Sequence, residues 1–264
     1  MASPLSLTLS RALSPDLEWR ESCPSTNSDL VGRAAVLPDL AVLATSDQTA
    51  GRGRLGRVWS APAGSALAVS VLVRHDGASP AQAPEPRRLG WLPLVAGVAM
   101  ARAVGALGVP GAGLKWPNDV LVDGLKLSGI LTELTPHGVV IGAGLNLSMT
   151  RDDLPVPTAT SLALQGVPVD AALADRALAA YLRELLALVH EWRAMTDPAA
   201  LRTVVEPVLQ TLGRAVRVDR PGLPVLLGTA ESLDDDGRLR VRAADPVDGL
   251  VAVAAGDVTH LRYE

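Results

Sequence analysis

Lys115–Leu134 reads KWPNDVLVDGLKLSGILTEL, and this stretch indicates both the fold and the chemistry of the chain. Asp123-Gly124 is a strong signal for a two-residue hairpin turn, and the apolar runs on either side of it predict paired strands. Both of the chain's lysines, Lys115 and Lys126, lie here, whereas arginine supplies the rest of the basic side chains. A lysine ammonium can donate in any direction inside a confined pocket, which a planar guanidinium does not do. We therefore predict that Lys126, on the returning strand, is functional.

Length, composition and charge limit the classes of protein to which the chain can belong. With 264 residues it is long enough for one sizeable domain and a small one, and a hydrophobic fraction of 48% excludes a mostly disordered chain. A net charge of −4 argues against nucleic acid as the main partner. We find neither a leader-like N-terminus nor an apolar run long enough to cross a bilayer, so we expect a soluble, cytoplasmic protein. The single cysteine, Cys23, excludes an internal disulfide and a cysteine-based zinc site.

The remaining periodicity predicts an α+β chain. Short apolar runs at 40–46, 67–73 and 139–147 are typical of strands, and longer patterns at 88–107, 171–194 and 198–210 are typical of helices. After Gly213 the sequence changes to short valine-rich runs separated by turns, which predicts a small β-barrel. We therefore expect a domain of residues 1–211 with a mixed or antiparallel sheet, followed by a β domain of residues 212–264.

A glycine-rich segment, here called the arginine loop (residues 51–60), lies between the first two of these strands. It begins GRGRLGR, so that Gly51, Gly53 and Gly56 alternate with Arg52, Arg54 and Arg57. Glycine lets the backbone approach a ligand closely, and guanidinium groups hold phosphate and carboxylate oxygens in bidentate pairs. We interpret the loop as a site for a polyanion, although arginine–glycine segments also occur as linkers and RNA-binding tails. It lacks a P-loop ending and does not begin a helix, which argues against Walker and Rossmann nucleotide sites.

The residues around Lys115 leave two interpretations open. In the structural one, Trp116 belongs to the core and Lys115 is a surface or paired charge. In the functional one, Asn118-Asp119 and Lys126 face one cavity, where a lysine fixed beside an arginine loop stabilises the charge of phosphoryl or acyl-phosphate chemistry. Asp119 is then a partner for Lys115 or for Mg²⁺ on a nucleotide.

Taken together, these motifs resemble one known family. In chain order they are Ser25-Thr26-Asn27, Gln48, AGRGRLGRVW (50–59), KWPNDVLVDGLKLSGILTEL (115–134) and GAGLNL (142–147). In this order and separation they resemble biotin protein ligases, closely over residues 25–147 and more loosely elsewhere. The resemblance implies a catalytic domain of the class II aminoacyl-tRNA synthetase-like, biotin/lipoate ligase fold with a mixed sheet, plus a small SH3-like C-terminal β-barrel.

The resemblance also implies a two-step reaction. In the family, the carboxylate of biotin attacks the α-phosphate of MgATP to give biotinyl-5′-AMP and pyrophosphate. A lysine amine on a biotin carboxyl carrier domain then attacks the mixed anhydride. ATP and Mg²⁺ are thus the expected cofactors, and the carrier domain of acetyl- or propionyl-CoA carboxylase is the expected acceptor. Both steps add negative charge, which Lys126 is expected to stabilise.

Residue by residue, the resemblance assigns most of a site. Lys126 and Arg54 are expected to be catalytic. The residues expected at biotin are Ser25, Thr26, Asn27, Gln48, Gly51, Arg52, Arg54, Lys126 and Gly129. Those expected at ATP or the adenylate are Arg54, Arg57, Trp59, Asn118, Lys126 and Asn146, with Asp119 as the Mg²⁺ ligand. Plain structural interpretations stay open for some: a helix N-cap for Ser25-Thr26-Asn27, core for Trp59 and a strand end for Asn146.

The remaining expectations concern DNA binding, the arginine loop, membrane partners and the oligomeric state. The segment before Ser25 leaves no room for the winged-helix domain of family members that regulate transcription, so we expect no DNA binding. Leu55 stands where relatives commonly carry a polar residue, which alters loop packing without removing an arginine. Because its three arginines repel one another, the arginine loop is expected to be disordered until biotin or the adenylate orders it. We also expect no membrane partner and a monomer or weak homodimer.

Two other functions stay open. Lipoate ligases and octanoyltransferases share the fold and a strand-borne lysine, but we do not find their arginine-glycine-glycine signature. The second is a non-catalytic protein that senses biotin and binds a partner through its C-terminal barrel. Lys126 argues against a sensor, because a sensor needs no stabiliser of transition-state charge.

Overall fold

The structure, a computed structural model, describes residues 7–74, 86–195, 197–220, 222–254 and 257–260. The helices within these ranges are α1 (Thr8–Leu13), α2 (Thr26–Arg33), α3 (Pro86–Leu89), α4 (Leu92–Ala106), α5 (Leu173–Ala194) and α6 (Pro198–Val205). The strands of the N-terminal part are β1 (Glu18–Arg20), β2 (Val42–Thr45), β3 (Gly51–Arg52), β4 (Val58–Trp59), β5 (Ala66–Arg74), β6 (Gly113–Lys115), β7 (Asp119–Val122), β8 (Leu125–Thr135) and β9 (Gly138–Asn146). The C-terminal strands are β10 (Ala215–Asp219), β11 (Leu226–Leu233), β12 (Leu239–Ala243), β13 (Leu250–Val253) and β14 (Asp257–His260).

Seven strands form one mixed sheet in the order β1-β2-β5-β9-β8-β7-β6. β1 and β2 run parallel, and the other neighbouring pairs are antiparallel. Alternate residues of a strand point to opposite faces. On β9, Ile141 and Ala143 therefore join the main core with α4 and α5, whereas Val140 joins a smaller cluster under α2 with Leu30 and Leu72. The face under α2 also borders the cavity that is described below.

The predicted β7–β8 hairpin is confirmed. Asp123 and Gly124 have φ of 51° and 75°, the left-handed conformations that a type I′ turn requires. A β-bulge shifts the register of the two strands within this hairpin. Strict alternation would put Lys126 and Gly129, three residues apart, on opposite faces, but a bulge re-aims the side chains beyond it. Lys126 consequently lies on the face of Gly129, where a Cβ would be 3.3 Å from Lys126 Nζ.

Two predicted helices are shorter than their sequence patterns, and proline and glycine account for both differences. The pattern at 88–107 is divided into α3 and α4, which are separated by Gly90 and Trp91, with Pro93 in the first turn of α4. The pattern at 198–210 gives α6, followed by a 3₁₀ turn that contains Pro207. Pro207 has no backbone N–H to donate to the carbonyl four residues earlier, so the α-helical bonding ends there although Glu206 keeps a helical conformation. Within the described ranges we find no helix with the length and apolar character needed to span a bilayer.

The C-terminal strands form a five-stranded antiparallel sheet in the order β13-β12-β11-β10-β14, consistent with an SH3-like small domain. The α+β fold class is thereby confirmed. Two buried tryptophans join the two parts: Trp91 Nε1 donates to Asp235 O at 2.9 Å, and Trp116 Nε1 donates to Gly237 O at 3.2 Å. The boundary between residues 211 and 212 stays a prediction.

Candidate active site

A cavity of about 330 Å³ lies between the α2-side face of the sheet and the arginine loop. Its lining includes all the predicted site residues except Gly51 and Asn146. These lining residues are Ser25, Thr26, Asn27, Gln48, Arg52, Arg54, Arg57, Trp59, Asn118, Asp119, Lys126 and Gly129. The fold therefore brings together, at one place, motifs that are up to about a hundred positions apart in the chain.

The bottom of the cavity, here called the glycine floor, consists of Gly129, Gly142 and Gly144. Gly129 pairs with Gly144 across β8 and β9, so backbone without side chains faces the cavity at neighbouring positions. A Cβ on Gly144 would lie 2.6 Å from the indole of Trp59, and one on Gly142 would overlap Asn27 Oδ1. The absence of side chains at Gly144 and Gly142 thus lets the Trp59 indole and the Asn27 amide lie directly against the floor.

A polar wall, made of Ser25, Thr26, Asn27 and Gln48, stands beside the floor at the start of α2. Ser25 is the N-cap of this helix, since its Oγ accepts from Ser28 N at 3.3 Å. Gln48 Oε1 accepts from Thr26 N at 3.0 Å. The N-cap interpretation is therefore confirmed, and it holds at the same time as a place in the cavity lining.

The amide of Gln48 also explains the position of Gly51. Gln48 Nε2 lies against the backbone there, so a Cβ on Gly51 would come within 2.5 Å of it. Gly51 does not line the cavity itself; it allows the loop to pass close behind a wall residue.

Lys126 stands at the junction of the floor and the cationic side of the cavity. Its Nζ lies 2.7 Å from Asp119 Oδ1. Its backbone is held on both sides, because Lys126 N donates to Thr158 O and Thr160 N donates to Lys126 O, each at 2.8 Å. Asp119, left open as a partner for Lys115 or Mg²⁺, forms its ion pair with Lys126.

The arginine loop is folded as a small hairpin over the cavity. β3 pairs with β4, and Gly53 N donates to Arg57 O at 2.7 Å. Arg54 Nη1 donates to Asn118 Oδ1 at 3.0 Å, and Asn118 Nδ2 in turn donates to Ile130 O at 2.9 Å. These bonds connect the loop to β8 through the asparagine of KWPND.

Positive charge dominates the described lining of the cavity. It contains Arg52, Arg54, Arg57, Lys115 and Lys126, against the single carboxylate of Asp119. Burial lowers the pKa of Arg54, and Arg57 beside it acts in the same direction. Burial likewise lowers the pKa of Lys115, helped by the charges of Lys126 and Arg57 and opposed by Asp119. Such a group of cations favours an anionic ligand.

Trp59 and Asn146, two residues predicted to contact the nucleotide, differ in whether they line the cavity. The ring of Trp59 lies over Gly144, where it borders the cavity. Asn146 is buried, pairs with Ala66 at the end of β9, and donates from Nδ2 to Thr160 O at 2.7 Å. Its expected contact with adenine stays a prediction.

Sequence reasoning missed several residues of the site. Ser70 is buried under the polar wall, with its Oγ 2.6 Å from Asn27 Oδ1, and it is the one polar residue in the apolar run LAVSVLV. Glu133 pairs with Arg52 across the cavity edge at 2.9 Å. Thr259 of β14 lines the cavity from the C-terminal sheet. Ser70 could have been found from the sequence, because it is a single polar residue in an apolar strand. Thr259 could not, because its position depends on the packing of two distant segments.

The described residues offer no ready-made metal cage. They contain no group of three or more histidine, cysteine, aspartate or glutamate side chains that could hold an ion. Mg²⁺ typically keeps several waters and binds through one or two carboxylates together with substrate phosphates. Asp119 is the one carboxylate in the described lining of the cavity, and its expected role as a Mg²⁺ ligand stays a prediction.

A second cavity, of about 580 Å³, adjoins the first between β8 and the C-terminal sheet. The two share six residues in their linings, which are Arg54, Trp116, Pro117, Asn118, Ile130 and Leu131. Arg54 thus separates a cavity with a glycine floor from a wider one bounded by the C-terminal turn at Asp236.

The sequence matches two family models. Residues 21–146 match the biotin/lipoate A/B protein ligase family, and residues 211–261 match the biotin protein ligase C terminal domain. The chain is 43% identical over 243 residues to a biotin–[acetyl-CoA-carboxylase] ligase of Mycobacterium tuberculosis, covering 90% of this chain and 86% of that protein. It is 34% identical over 233 residues to a ligase of the same name from Paracoccus denitrificans, covering 83% and 90%.

Solved structures are similar over nearly the whole chain. A biotin protein ligase from Aquifex aeolicus in complex with biotin and ATP has a TM-score of 0.75 and 25% identity, with 94% of this chain and 99% of that one covered. A biotin protein ligase from Leishmania major in complex with biotinyl-5-AMP has a TM-score of 0.59 and 25% identity over the same shares.

Proposed function

The chain belongs to the biotin protein ligase family, and from that premise we propose that it is an ATP-dependent biotin–protein ligase. The observation that carries the proposal is the position of Lys126, whose ammonium lies between a floor suited to a flat apolar group and a cluster of cations suited to phosphates. A site that must join a carboxylate to a phosphate needs both halves in contact with one charge stabiliser.

Biotin binds with its fused bicyclic head on the glycine floor. Ser25, Thr26, Asn27 and Gln48 supply hydroxyl and amide groups along one side, which fix the orientation of the ureido group within an otherwise apolar recess. The head is neutral, so the cations on the far side of the cavity attract only the carboxylate at the end of the aliphatic tail. This directs the reacting end toward Lys126.

The first step joins biotin to AMP. A carboxylate oxygen of biotin forms a bond to the α-phosphorus of ATP, the bond from that phosphorus to the bridging oxygen breaks, and pyrophosphate leaves. Charge increases on the α-phosphate oxygens in the transition state. Lys126, Arg54 and Arg57 stabilise that charge, and Lys126 must exchange its contact with Asp119 for one with the substrate.

The second step transfers biotin to a lysine of a carrier domain. The neutral amine attacks the carbonyl carbon of biotinyl-5′-AMP, the bond from that carbon to the phosphate oxygen breaks, and AMP leaves while the amine loses a proton. Negative charge develops on the carbonyl oxygen and then on AMP. The same Lys126 ammonium serves both steps, because the reacting carbon and phosphorus share one bridging oxygen.

Asp119 is the residue that would hold a magnesium ion brought in with ATP, and the ion would offset negative charge on the phosphates. The acceptor is the carrier domain of an acyl-CoA carboxylase, and the location is the cytoplasm, where the reaction draws on ATP. We also propose that the protein is a monomer or weak homodimer and that it binds neither DNA nor membranes.

An acceptor-labelling assay tests the proposal. The chain is incubated with ATP, a biotin carboxyl carrier domain and either biotin, lipoate or octanoate, and AMP release and acceptor mass are measured. Of the three acids, we expect only biotin to cause AMP release and a gain in acceptor mass equal to one biotinyl group. Labelling by lipoate or octanoate would transfer the function to the related ligases, and biotin binding without AMP release would support a sensor.

A further inference from the structure

Glu133 on β8 connects the arginine loop to the polar wall. Its Oε1 lies 2.9 Å from Arg52 Nη1, and its Oε2 accepts from Asn27 Nδ2 at 3.0 Å. The side chain is 20% exposed, whereas that of Arg52 is 53% exposed. Glu133 does not line the cavity, so it can act on a ligand only through these two partners.

Asn27 depends on this carboxylate for its orientation. The asparagine is buried, its Oδ1 lies 2.6 Å from Ser70 Oγ, and its Nδ2 donates both to Leu131 O and to Glu133. Each polar atom of the amide therefore has a matched partner. Loss of the Glu133 acceptor would leave a buried N–H without one of its bonds, which favours rotation of the amide.

Polar contacts hold the tip of the loop in its closed position. Leu55 and Val58 are 56% and 78% exposed, so they do not anchor the loop to the sheet, whereas Trp59 at the end of the loop packs over Gly144. Arg52 bonds to Glu133 and Ser28, and Arg54 bonds to Asn118. Of these two arginines, Arg52 is the one that contacts the end of the cavity beside the polar wall.

An isolated surface ion pair would hold such a loop only weakly. Glu133 differs from an ordinary surface carboxylate because it is mostly covered and bonded at its second oxygen to a buried wall residue. Formation of the Arg52 contact and correct orientation of Asn27 thus require the same side-chain position. Coupling of this kind is expected between residues that share one partner.

We propose that Glu133 is a positioning residue that clasps the arginine loop over the site and couples loop closure to the orientation of Asn27. The inference rests on the proposed function, because Asn27 and Arg52 are taken to contact biotin. Glu133 is remote from Lys126 in this arrangement, so the clasp controls binding and retention of biotin and leaves the chemical step unchanged.

Glu133→Gln tests the clasp. Glutamine keeps the side-chain shape, but its NH₂ group faces either Arg52 or Asn27, and both of these residues are themselves donors. We expect the KM for biotin to rise about 5- to 10-fold while kcat changes by less than about twofold. In the presence of biotin, trypsin should cleave this variant after Arg54 and Arg57 several-fold faster than it cleaves the natural chain. Glu231→Gln is the matched control, because Glu231 forms a similar pair with Arg242 in the C-terminal sheet and neither readout should move.

A double-mutant cycle with Arg52→Gln separates a clasp from independent contacts. Combined with Glu133→Gln it should raise the KM no further than the more damaging single variant. Additive losses, or an unchanged KM and trypsin rate in Glu133→Gln, would overturn the inference.

If thermal unfolding shows that Glu133→Gln folds poorly, Glu133→Asp replaces it, because aspartate keeps the charge but is too short to reach both partners. Absence of biotin-dependent AMP release by the natural chain would instead refute the proposed function, and the trypsin readout would still report on the clasp.

Discussion

The glycine floor and the arginine loop face the same cavity but are held in position by different forces. The floor belongs to the central strands β8 and β9, whose register pairs Gly129 with Gly144 and whose other face packs in the main core. The loop is a short hairpin with exposed Leu55 and Val58, connected to the sheet by a few polar side-chain bonds and by the ring of Trp59 over Gly144. The floor is therefore set on folding, whereas the loop has fewer contacts and opens at a lower energetic cost than the floor.

This difference suggests a division of labour between the two regions. A fixed floor, with Lys126 held beside it by backbone bonds on both sides, supplies the shape and the charge that the chemistry needs. A loop carrying three arginines can admit substrates, close when anions neutralise it, and reopen for release. Changes in the floor should therefore damage catalysis or binding severely, and changes that affect only closure should be milder.

Lys126 gives the largest expected effect. Lys126→Ala should reduce the rate of biotin-dependent AMP formation by about 10²- to 10³-fold, because one positioned charge is lost from both transition states. Lys126→Arg should also be strongly impaired, since a planar guanidinium cannot replace the ammonium in this space. Arg102→Ala, which removes a cation outside the cavity lining, is the control. Comparable activity of Lys126→Arg and the natural chain would show that the fixed lysine is not needed as such.

The floor itself should tolerate no side chain. Gly144→Ala places a methyl group 2.6 Å from the Trp59 indole, and Gly142→Ala forces Asn27 to move. We expect kcat/KM for biotin to fall roughly 10- to 100-fold, as for overpacking of a tight site. Gly105→Ala on α4 is the matched control, because no atom lies within 4 Å of the added Cβ. Equal activity of Gly144→Ala and Gly105→Ala would mean that biotin does not lie on this floor.

Closure of the arginine loop should be visible by proteolysis. Biotin with ATP is expected to slow trypsin cleavage after Arg52, Arg54 and Arg57 by about fivefold or more, since the bound anions neutralise the loop and close it. Rates are measured from the fragments by mass spectrometry, with cleavage at exposed Arg151 as the internal reference. A loop cleaved at the same rate with and without ligand would contradict its proposed role as a lid.

His260, behind the cavity wall, gives the smallest effect, and it should change stability only. Burial, with the charges of Lys115 and Arg214, lowers the pKa of His260 to about 4 from 6.5. Its ring nitrogen lies 3.2 Å from Thr211 Oγ1, which accepts from Trp116 N, so the threonine hydroxyl is free to donate to the neutral imidazole. The unfolded chain then binds more protons between pH 4 and 6.5, and stability increases with pH across that window.

The measurement is chemical denaturation of the natural chain and of His260→Gln at pH 5 and pH 7. The natural chain should gain ~1 kcal/mol more over this range than the variant, a value reduced from the full linkage energy because the ring is partly exposed. AMP formation at pH 7 should be alike in the two proteins. Identical pH slopes would show that the imidazole titrates normally in the folded state.

Sequence patterns predicted the hairpin, the long helix α5, the helix cap and about half of the residues that line the cavity. Asp123-Gly124 and the N-cap Ser25 are local signals, because turn and cap chemistry depend on a few adjacent residues. The β-bulge that brings Lys126 onto the face of Gly129 has no such signal, and neither has the approach of Thr259 from the C-terminal sheet. Both are set by the packing of distant segments.

Glu133 shows the same limit for the site. It lies in LTEL, where strand alternation predicts only that it shares a face with Leu131. Its two partners come from α2 and from the arginine loop, so its role was visible only once the three segments were together. Asn27, by contrast, was found because its motif is contiguous.

A crystal structure with a non-hydrolysable analogue of biotinyl-5′-AMP would show directly whether the two halves of the substrate meet at Lys126. We predict the bicyclic head on the glycine floor beside Asn27, the arginine loop closed above it, and Lys126 Nζ moved from Asp119 to within hydrogen-bond distance of the linking phosphate. An analogue bound in the adjoining cavity near Asp236, or a Lys126 that keeps its ion pair with Asp119 and leaves the phosphate untouched, would contradict it.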